Sequence, residues 1–364
     1  MTAGNTAIDP AAAVTAADTH PFVLRVRDYA ESVLRPAALD TDRAGVTPER
    51  IAELAGLGLL NHTAPAEFGG AGIDRNTDRR LHEIIAGACF NTWLVWAQHA
   101  PMAGRIAETP APRAPLADRV LRGELLLGAG VSDVRRYPEH YLRARKSAGG
   151  WTFDGTLSWV SGWGLHGALT VAAVDPATET VVTALLPVGD RITSAGPLPL
   201  SAVTGSRTAR VRIDQVFVPD AHVLTAHSLE HSRHLDLGVA SDARGHHFGL
   251  AEAVLRELEQ SEFGREVAEV WRPRVAEIRS AAYTLADQAA RLGGGDHRIA
   301  ERLSTKVASG EALSTLTRAL LIARAGRGLG TDDTAQLHAR SALFVLVQGQ
   351  TTDVRRAQLA RLAR

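Results

Sequence analysis

The hydrophobic period changes twice along this chain, and that limits what it can fold into. From Phe22 to about Arg122 apolar residues recur at three-four spacing; from about Leu125 to Val223 they alternate with polar ones; the remainder returns to three-four spacing. Thr47-Pro48-Glu49 offers a hydroxyl N-cap followed by proline at the first helical position, and Ile51, Leu54 and Leu57 share one face of a helix that should stop at Gly56 or Gly58. Phe68 to Gly72 reads as a connection, Leu81 to Met102 as one apolar helix carrying Trp93 and Trp96, and Pro110 to Pro115 as a turn. In the middle, Trp151 to Thr156 alternates and then turns at Asp154-Gly155, a hairpin signal. Val171 to Val174, Thr180 to Leu186 and Ala209 to Val216 follow as strands, the last with Ala209, Val211 and Ile213 on one face and Arg210, Arg212 and Asp214 on the other. Val275, Ile278, Ala282, Leu285, Ala289 and Leu292 form a buried helical stripe ending at Gly293-Gly294-Gly295-Asp296, and Ile299 to Arg324 and Leu337 to Gln348 supply further helices. The expectation is an α+β chain: a tail over 1–20, an all-α domain over 21–124, an antiparallel β-domain over 125–228 and a helical bundle over 229–364.

Composition narrows the partners. Lys+Arg and Asp+Glu both number 40, so no basic excess points to nucleic acid or an anionic membrane surface. A single cysteine, Cys89, forms neither an internal disulfide nor a cysteine metal cluster, which fits a reducing cytoplasm. Met1 to Ala17 lacks the cationic and apolar regions of a signal peptide, and no apolar run approaches the roughly 20 residues of a membrane span.

Several short segments, in order, resemble the acyl-CoA dehydrogenase superfamily over about residues 20 to 364. Leu57-Gly58-Leu59-Leu60 with Pro65 to Gly72 is similar to its early "LGL…PEEYGGAG", Gly155 to Ser161 to its "GTKSWIT", and Val216-Phe217-Val218-Pro219 to the "V.VP" that closes its sheet. Gly249-Leu250-Ala251 with Glu262-Phe263-Gly264 resembles "GLA…FG", while Gly326 to Leu329 and Thr351 to Arg356 resemble "GNGF" and "TSQIQR". Each motif alone is weak; their shared order carries the resemblance.

The resemblance implies an acyl-CoA dehydrogenase-like fold, with the C-terminal part a four-helix-type bundle, and FAD as cofactor. Trp159 would pack on the flavin ring, Ser161 would hydrogen-bond near its N5, and Val131 and Ser132 would meet its pyrimidine side. Thr351 and Asp353 would lie near the ribityl or adenosine portion, and Phe263 and Gly326 complete the cofactor-binding set. On residue type alone a strand tryptophan is more often core, Ser161 is an uninformative turn serine, and Asp353 merely complements a helix dipole.

Departures from the family pattern bear on the reaction. The carboxylate that takes the substrate's α-proton is replaced by Gly349, and the alternative place for that base, on the first helix of the bundle, is held by Val239. Gln260 and Ile322 replace an arginine and a glutamine of the family's nucleotide site, so weak FAD binding, FMN, or a flavin that arrives reduced becomes plausible. That points to two-component flavin monooxygenases of the same fold, where His99 would act as acid or base, although a polar-capped helix end is its commoner role. His246-His247 replaces small residues lining the acyl cavity; neighbours on a helix diverge, so no metal is expected. Thr204, Ser206 and Thr208, and Asp133 to Arg136, read as solvated loop rather than as contacts to an acyl-carrier group. The expected function is a flavin-dependent oxidoreductase of acyl-CoA dehydrogenase type acting on an acyl-thioester or related small substrate. The chain would assemble as a homodimer or homotetramer, with neither nucleic acid nor membrane as partner. The alternatives are the monooxygenase, served by a flavin reductase, and a non-catalytic subunit that completes a homologous partner.

Overall fold

The computed structural model describes residues 16–109 and 113–363, so most of the expected tail and part of the Pro110 to Pro115 turn lie outside the described residues. The N-terminal helices are α1 (Pro21–Tyr29), α2 (Ala38–Ala44), α3 (Pro48–Gly56), α4 (Arg75–Ala88), α5 (Phe90–Glu108) and α6 (Pro115–Leu121). Thr47 caps α3 as its sequence predicts, its side chain accepting the Arg50 N–H. The single helix expected from Leu81 to Met102 is two, because Cys89 is extended (φ −148°, ψ 103°) and ends α4 where α5 begins. Apolar residues flank Cys89 on both sides, so the hydrophobic period carries no mark of the break.

The sheet contains β1 (Leu127–Gly130), β2 (Arg143–Ser147), β3 (Gly150–Val160), β4 (Ala168–Asp175), β5 (Thr180–Pro187), β6 (Ile192–Thr193), β7 (Ala209–Pro219) and β8 (Val223–Ser228). Its order is β6-β7-β3-β2-β4-β5-β8, with β1 also on β4. Most pairs are antiparallel as expected, but β1 and β2 both run parallel to β4. Asp154-Gly155 is not a hairpin: β3 runs straight through it with a bulge, Gly155 at φ +140°, while Asp154 accepts a hydrogen bond from Arg212 on β7 (2.6 Å). The tight turn falls instead between β2 and β3, at Gly149. Ala209, Val211 and Ile213 are buried and Arg210, Arg212 and Asp214 exposed, as their alternation predicts. The sheet curls around a core that includes Phe153, Leu157, Leu169, Val171, Leu186 and Val211. The other face of β4 packs on α6 and on the segment after β1, which leaves β4 buried throughout.

The C-terminal part comprises α7 (Leu229–Ala240), α8 (Gly245–Glu259), α9 (Arg265–Arg291), α10 (Ile299–Arg324), α11 (Thr334–Val347) and α12 (Thr352–Leu362). On α9, Val275, Ala282, Leu285 and Ala289 are buried as the stripe predicts, whereas Leu292 lies past the helix end and is exposed. Helices α4 and α8 cross at backbone contact. A Cβ on Gly249 would stand 2.1 Å from the Glu83 carbonyl oxygen, and one on Gly87 would stand 2.5 Å from the Gly249 oxygen. At this crossing the buried Glu83 carboxylate accepts hydrogen bonds from Arg80, Arg279 and Tyr283. Among the described residues no helix is long and apolar enough to cross a membrane.

Candidate active site

Strands β1 and β2 lie end to end along β4, and the chain between them leaves the sheet. The close approach that starts this exit needs glycine, since a Cβ on Gly130 would come within 2.4 Å of the Leu157 side chain on β3. Val131 and Ser132 then open a 3-10 turn, Ser132–Arg136. Asp133, buried in that turn, accepts the Ser158 N–H at 2.7 Å, and Arg136 donates to Ser158 Oγ at 3.0 Å. The Ser158 N–H, which the split leaves without a strand partner, is thus satisfied by the Asp133 side chain.

Trp159 follows Ser158 and is 44% exposed. Two residues on, buried Ser161 begins a chain of hydroxyls: Ser161 Oγ to Thr208 Oγ1 at 2.8 Å, and Thr208 Oγ1 to Ser206 Oγ at 2.7 Å. Three hydroxyls joined by two hydrogen bonds retain one proton to donate outward. Ser206 and Thr208 are therefore not solvated loop, and Thr204 donates to the Asp42 carbonyl at 2.9 Å. Sequence could not show this, because Ser161 and Asp42, which hold Thr208 and Thr204, lie far away in the chain.

The same 3-10 turn walls a second space. Arg135, bound through both nitrogens to Asp236 of α7 (2.6 and 2.7 Å), lines a cavity of about 580 Å³ between the N-terminal helices and the bundle. One wall is aromatic. Trp93 stacks on His246 with centroids 4.2 Å apart, His246 lies 4.2 Å from His247, and the Trp93 indole donates to His82 Nδ1 at 3.0 Å. Burial pushes His82 down to about 4 and His246 and His247 well below their ordinary value, so all three are neutral at pH 7. The two adjacent histidines do not diverge as expected. His247 turns back in the first turn of α8 to accept the Arg244 N–H at 3.2 Å, and both line the cavity.

The opposite end of the cavity is cationic. Carbonyls at the C-terminus of α7 each accept from a side chain: Gly238 from Arg302, Val239 from Arg244 at 3.0 Å, Ala240 from Lys306 Nζ at 2.7 Å. Arg302 is paired with Asp242 at 2.7 Å. Among the described residues neither Arg244 nor Lys306 is within ion-pair distance of a carboxylate. Burial, reinforced by Arg244 and Arg135, brings the Lys306 amine down to about 7. Gly349 also lines this end with φ +65°, and a Cβ there would stand 3.7 Å from Lys306 Nζ.

The other candidates are more scattered. Val239 lines the cavity without a titratable group. His99 is buried on α5, where Nδ1 accepts the Leu127 N–H at 3.0 Å and Nε2 faces the Leu60 carbonyl at 2.6 Å; both ring nitrogens are used by backbone, and it does not line the cavity. Thr351 caps α12 by accepting the Val354 N–H at 3.2 Å, and Asp353 is exposed in its first turn. Phe263 (78% exposed) and Gly326 lie on the outer side of the bundle, as do Gln260 and Ile322. Trp93 belongs to the cavity wall; Trp96 is core, its indole donating to the Leu59 carbonyl at 2.8 Å. Among the described residues no cluster suits a metal ion. The sequence reading passed over Lys306, Arg244 and His82. For Lys306 a signal existed: it lies in phase with Arg302, Ser309, Leu313 and Leu320 on the buried stripe of α10.

Helices flanking a split sheet, with a cavity between sheet exit and bundle, define an α+β fold shared with solved proteins. An FMN-bound TdsC from Paenibacillus sp. A11-2 superposes with a TM-score of 0.78 at 16% identity, covering 94% of this chain and 97% of that one. Butyryl-CoA dehydrogenase from Megasphaera elsdenii gives 0.76 at 17% identity over 94% and 97%. Residues 17–110 match the family model for the acyl-CoA dehydrogenase N-terminal domain. The human mitochondrial short-chain specific acyl-CoA dehydrogenase is 24% identical over 94% of this chain and 89% of its own, and the amino sugar nitrososynthase RubN8 of Streptomyces rubradiris is 29% identical over 65% and 58%. The N-terminal part of the chain thus matches the acyl-CoA dehydrogenase family, and the chain as a whole shares the fold of the acyl-CoA dehydrogenases.

Proposed function

We propose that this chain is a flavin-dependent oxidoreductase of acyl-CoA dehydrogenase type, acting on an acyl-thioester or related small substrate held in the 580 Å³ cavity. The observation that carries it is the half-exposed Trp159 indole two residues before a buried hydroxyl chain with one proton to give, on a strand end that Asp133 of the cavity-lining turn holds through Ser158. These residues fit an isoalloxazine: an apolar face for a flat ring, and a directed donor at its edge. When bound, FAD, or FMN in its place, supplies a two-electron acceptor. Trp159 would cover one face of the ring and keep water from it, Ser161 would donate to it from the end of the hydroxyl chain, and Val131 and Ser132 would offer backbone and hydroxyl groups beside it. Structures of the same fold that carry FMN or FADH2 support the cofactor class. Homodimer or homotetramer assembly agrees with the outward positions of Phe263 and Gly326, where a second chain would complete the nucleotide site.

A second reading, flavin-dependent oxygenation with a separate reductase, is favoured by Gly349 and Val239, which leave both family positions for a carboxylate base without one. The absorbance spectrum of the purified protein tests both readings. Yellow protein bleached anaerobically by butyryl-CoA supports dehydrogenation. Colourless protein that consumes oxygen only with reductase and substrate supports oxygenation. Protein that acquires flavin only with a base-bearing homologue, and turns over neither way alone, overturns both in favour of an accessory subunit.

A further inference from the structure

Two cations end the cavity, and the α7 terminus fixes where they stand. Val239 and Ala240 are consecutive, so the groups their carbonyls accept from, Arg244 and Lys306, are brought to one patch. Lys306 is buried in that patch, and Ala240 is the acceptor of its hydrogen bond; the amine retains further donors. Of the neighbouring cations, Arg135 is balanced by Asp236 and Arg302 by Asp242, while Arg105, exposed on α5, lines the same cavity without an ion pair among the described residues; His246 and His247 are neutral. Gln348 Oε1 and His246 Nε2, both in lining residues, are buried without partners. From this juxtaposition we propose that Lys306 and Arg244 form a carboxylate-binding site, so that the substrate is a small organic acid, or an acyl group bearing a free carboxylate, with its apolar body along Trp93 and His246. This deepens the proposed function and rests on the cavity being its substrate pocket.

The site explains why an amine is tolerated there. Removing a lysine from water without a carboxylate is unfavourable, and an incoming anion restores the missing interaction. Below pH 7 the amine is charged and binding is strongest; above it, binding must recruit a proton, so affinity falls by about tenfold per pH unit. The groups that set this behaviour are Arg244 and Asp242 before α8, Arg135 on the 3-10 turn, Asp236 on α7, and the histidines of α8.

The experiment is calorimetric titration of the purified protein with butyrate, benzoate and inorganic phosphate between pH 6 and 9, alongside Trp93 fluorescence. Expected are butyrate or benzoate binding that weakens above pH 7, loss of at least tenfold in Lys306→Met, and pH-independent binding in Lys306→Arg. Thermal melts separate folding from binding: Lys306→Met should melt no lower than the parent. Carboxylate affinity unchanged in Lys306→Met, or phosphate bound in preference to both acids, overturns the proposal; so does a Lys306→Met variant that melts lower with carboxylate affinity intact, since the lysine is then only a helix cap. Yellow protein that ignores both acids at every pH defeats this inference alone, and colourless protein that binds them but neither takes up flavin nor turns over with flavin and a reductase defeats only the flavin reading.

Discussion

At Gly349 the backbone has φ +65°, a region that costs a side-chain-bearing residue about 1–2 kcal/mol. A glutamate introduced there would also start 3.7 Å from the Lys306 amine, close enough for the two groups to neutralise one another. Gly349→Glu should therefore lower the melting temperature by a few degrees, read in a thermal melt; a midpoint equal to the parent's would mean that the backbone accepts a side chain there without strain. The empty base position was legible in the sequence because motifs on both sides fixed its place. The lysine beside it was legible only as a member of a buried helical stripe; its meeting with Gly349 was not, because α10 brings the two together across 43 positions. His99 shows the opposite limit: its residue type suggests acid-base work, but both nitrogens are taken by backbone from other elements.

Elements follow the hydrophobic period wherever one face is buried and the other wet, as in β7 and α9, and depart from it where both sides are buried. The break at Cys89 is such a case; the passage of β3 through the half-buried Asp154-Gly155 is decided instead by its pairing with β7, which the local pattern does not contain. The crossing of α4 and α8 depends on Gly249, where an added methyl would meet the Glu83 backbone oxygen at 2.1 Å. Gly249→Ala should cost about 1–3 kcal/mol as the helices are forced apart. Urea denaturation measures it, and a midpoint equal to the parent's would mean that the crossing yields without strain.

Across the whole molecule, buried imidazoles tie stability to pH. His82 and His99 are held at about 4 in the folded chain against 6.5 when exposed, so between those values the unfolded state binds more protons. Their contribution is complete above pH 6.5 and is lost as pH falls toward 4. Glu257, held at about 2 by hydrogen bonds from His338, Thr334 and Arg324 despite its burial, extends the loss from 4.5 downward. Lys306 acts in the same direction at higher pH, its folded value of about 7 against 10.5 raising stability between them. Denaturation midpoints at pH 5, 7 and 9 should rise in that order, and a flat profile from 5 to 7 would contradict neutral buried histidines. The glycine crossing also bears on how substrate preference can change. Because α4 and α8 touch backbone to backbone while their side chains wall the cavity, the room available to a ligand cannot be widened by sliding one helix over the other. New preferences must arise by exchanging side chains such as His82 and His246 on a fixed frame, which makes the cavity a place where small replacements redirect chemistry without rebuilding the protein.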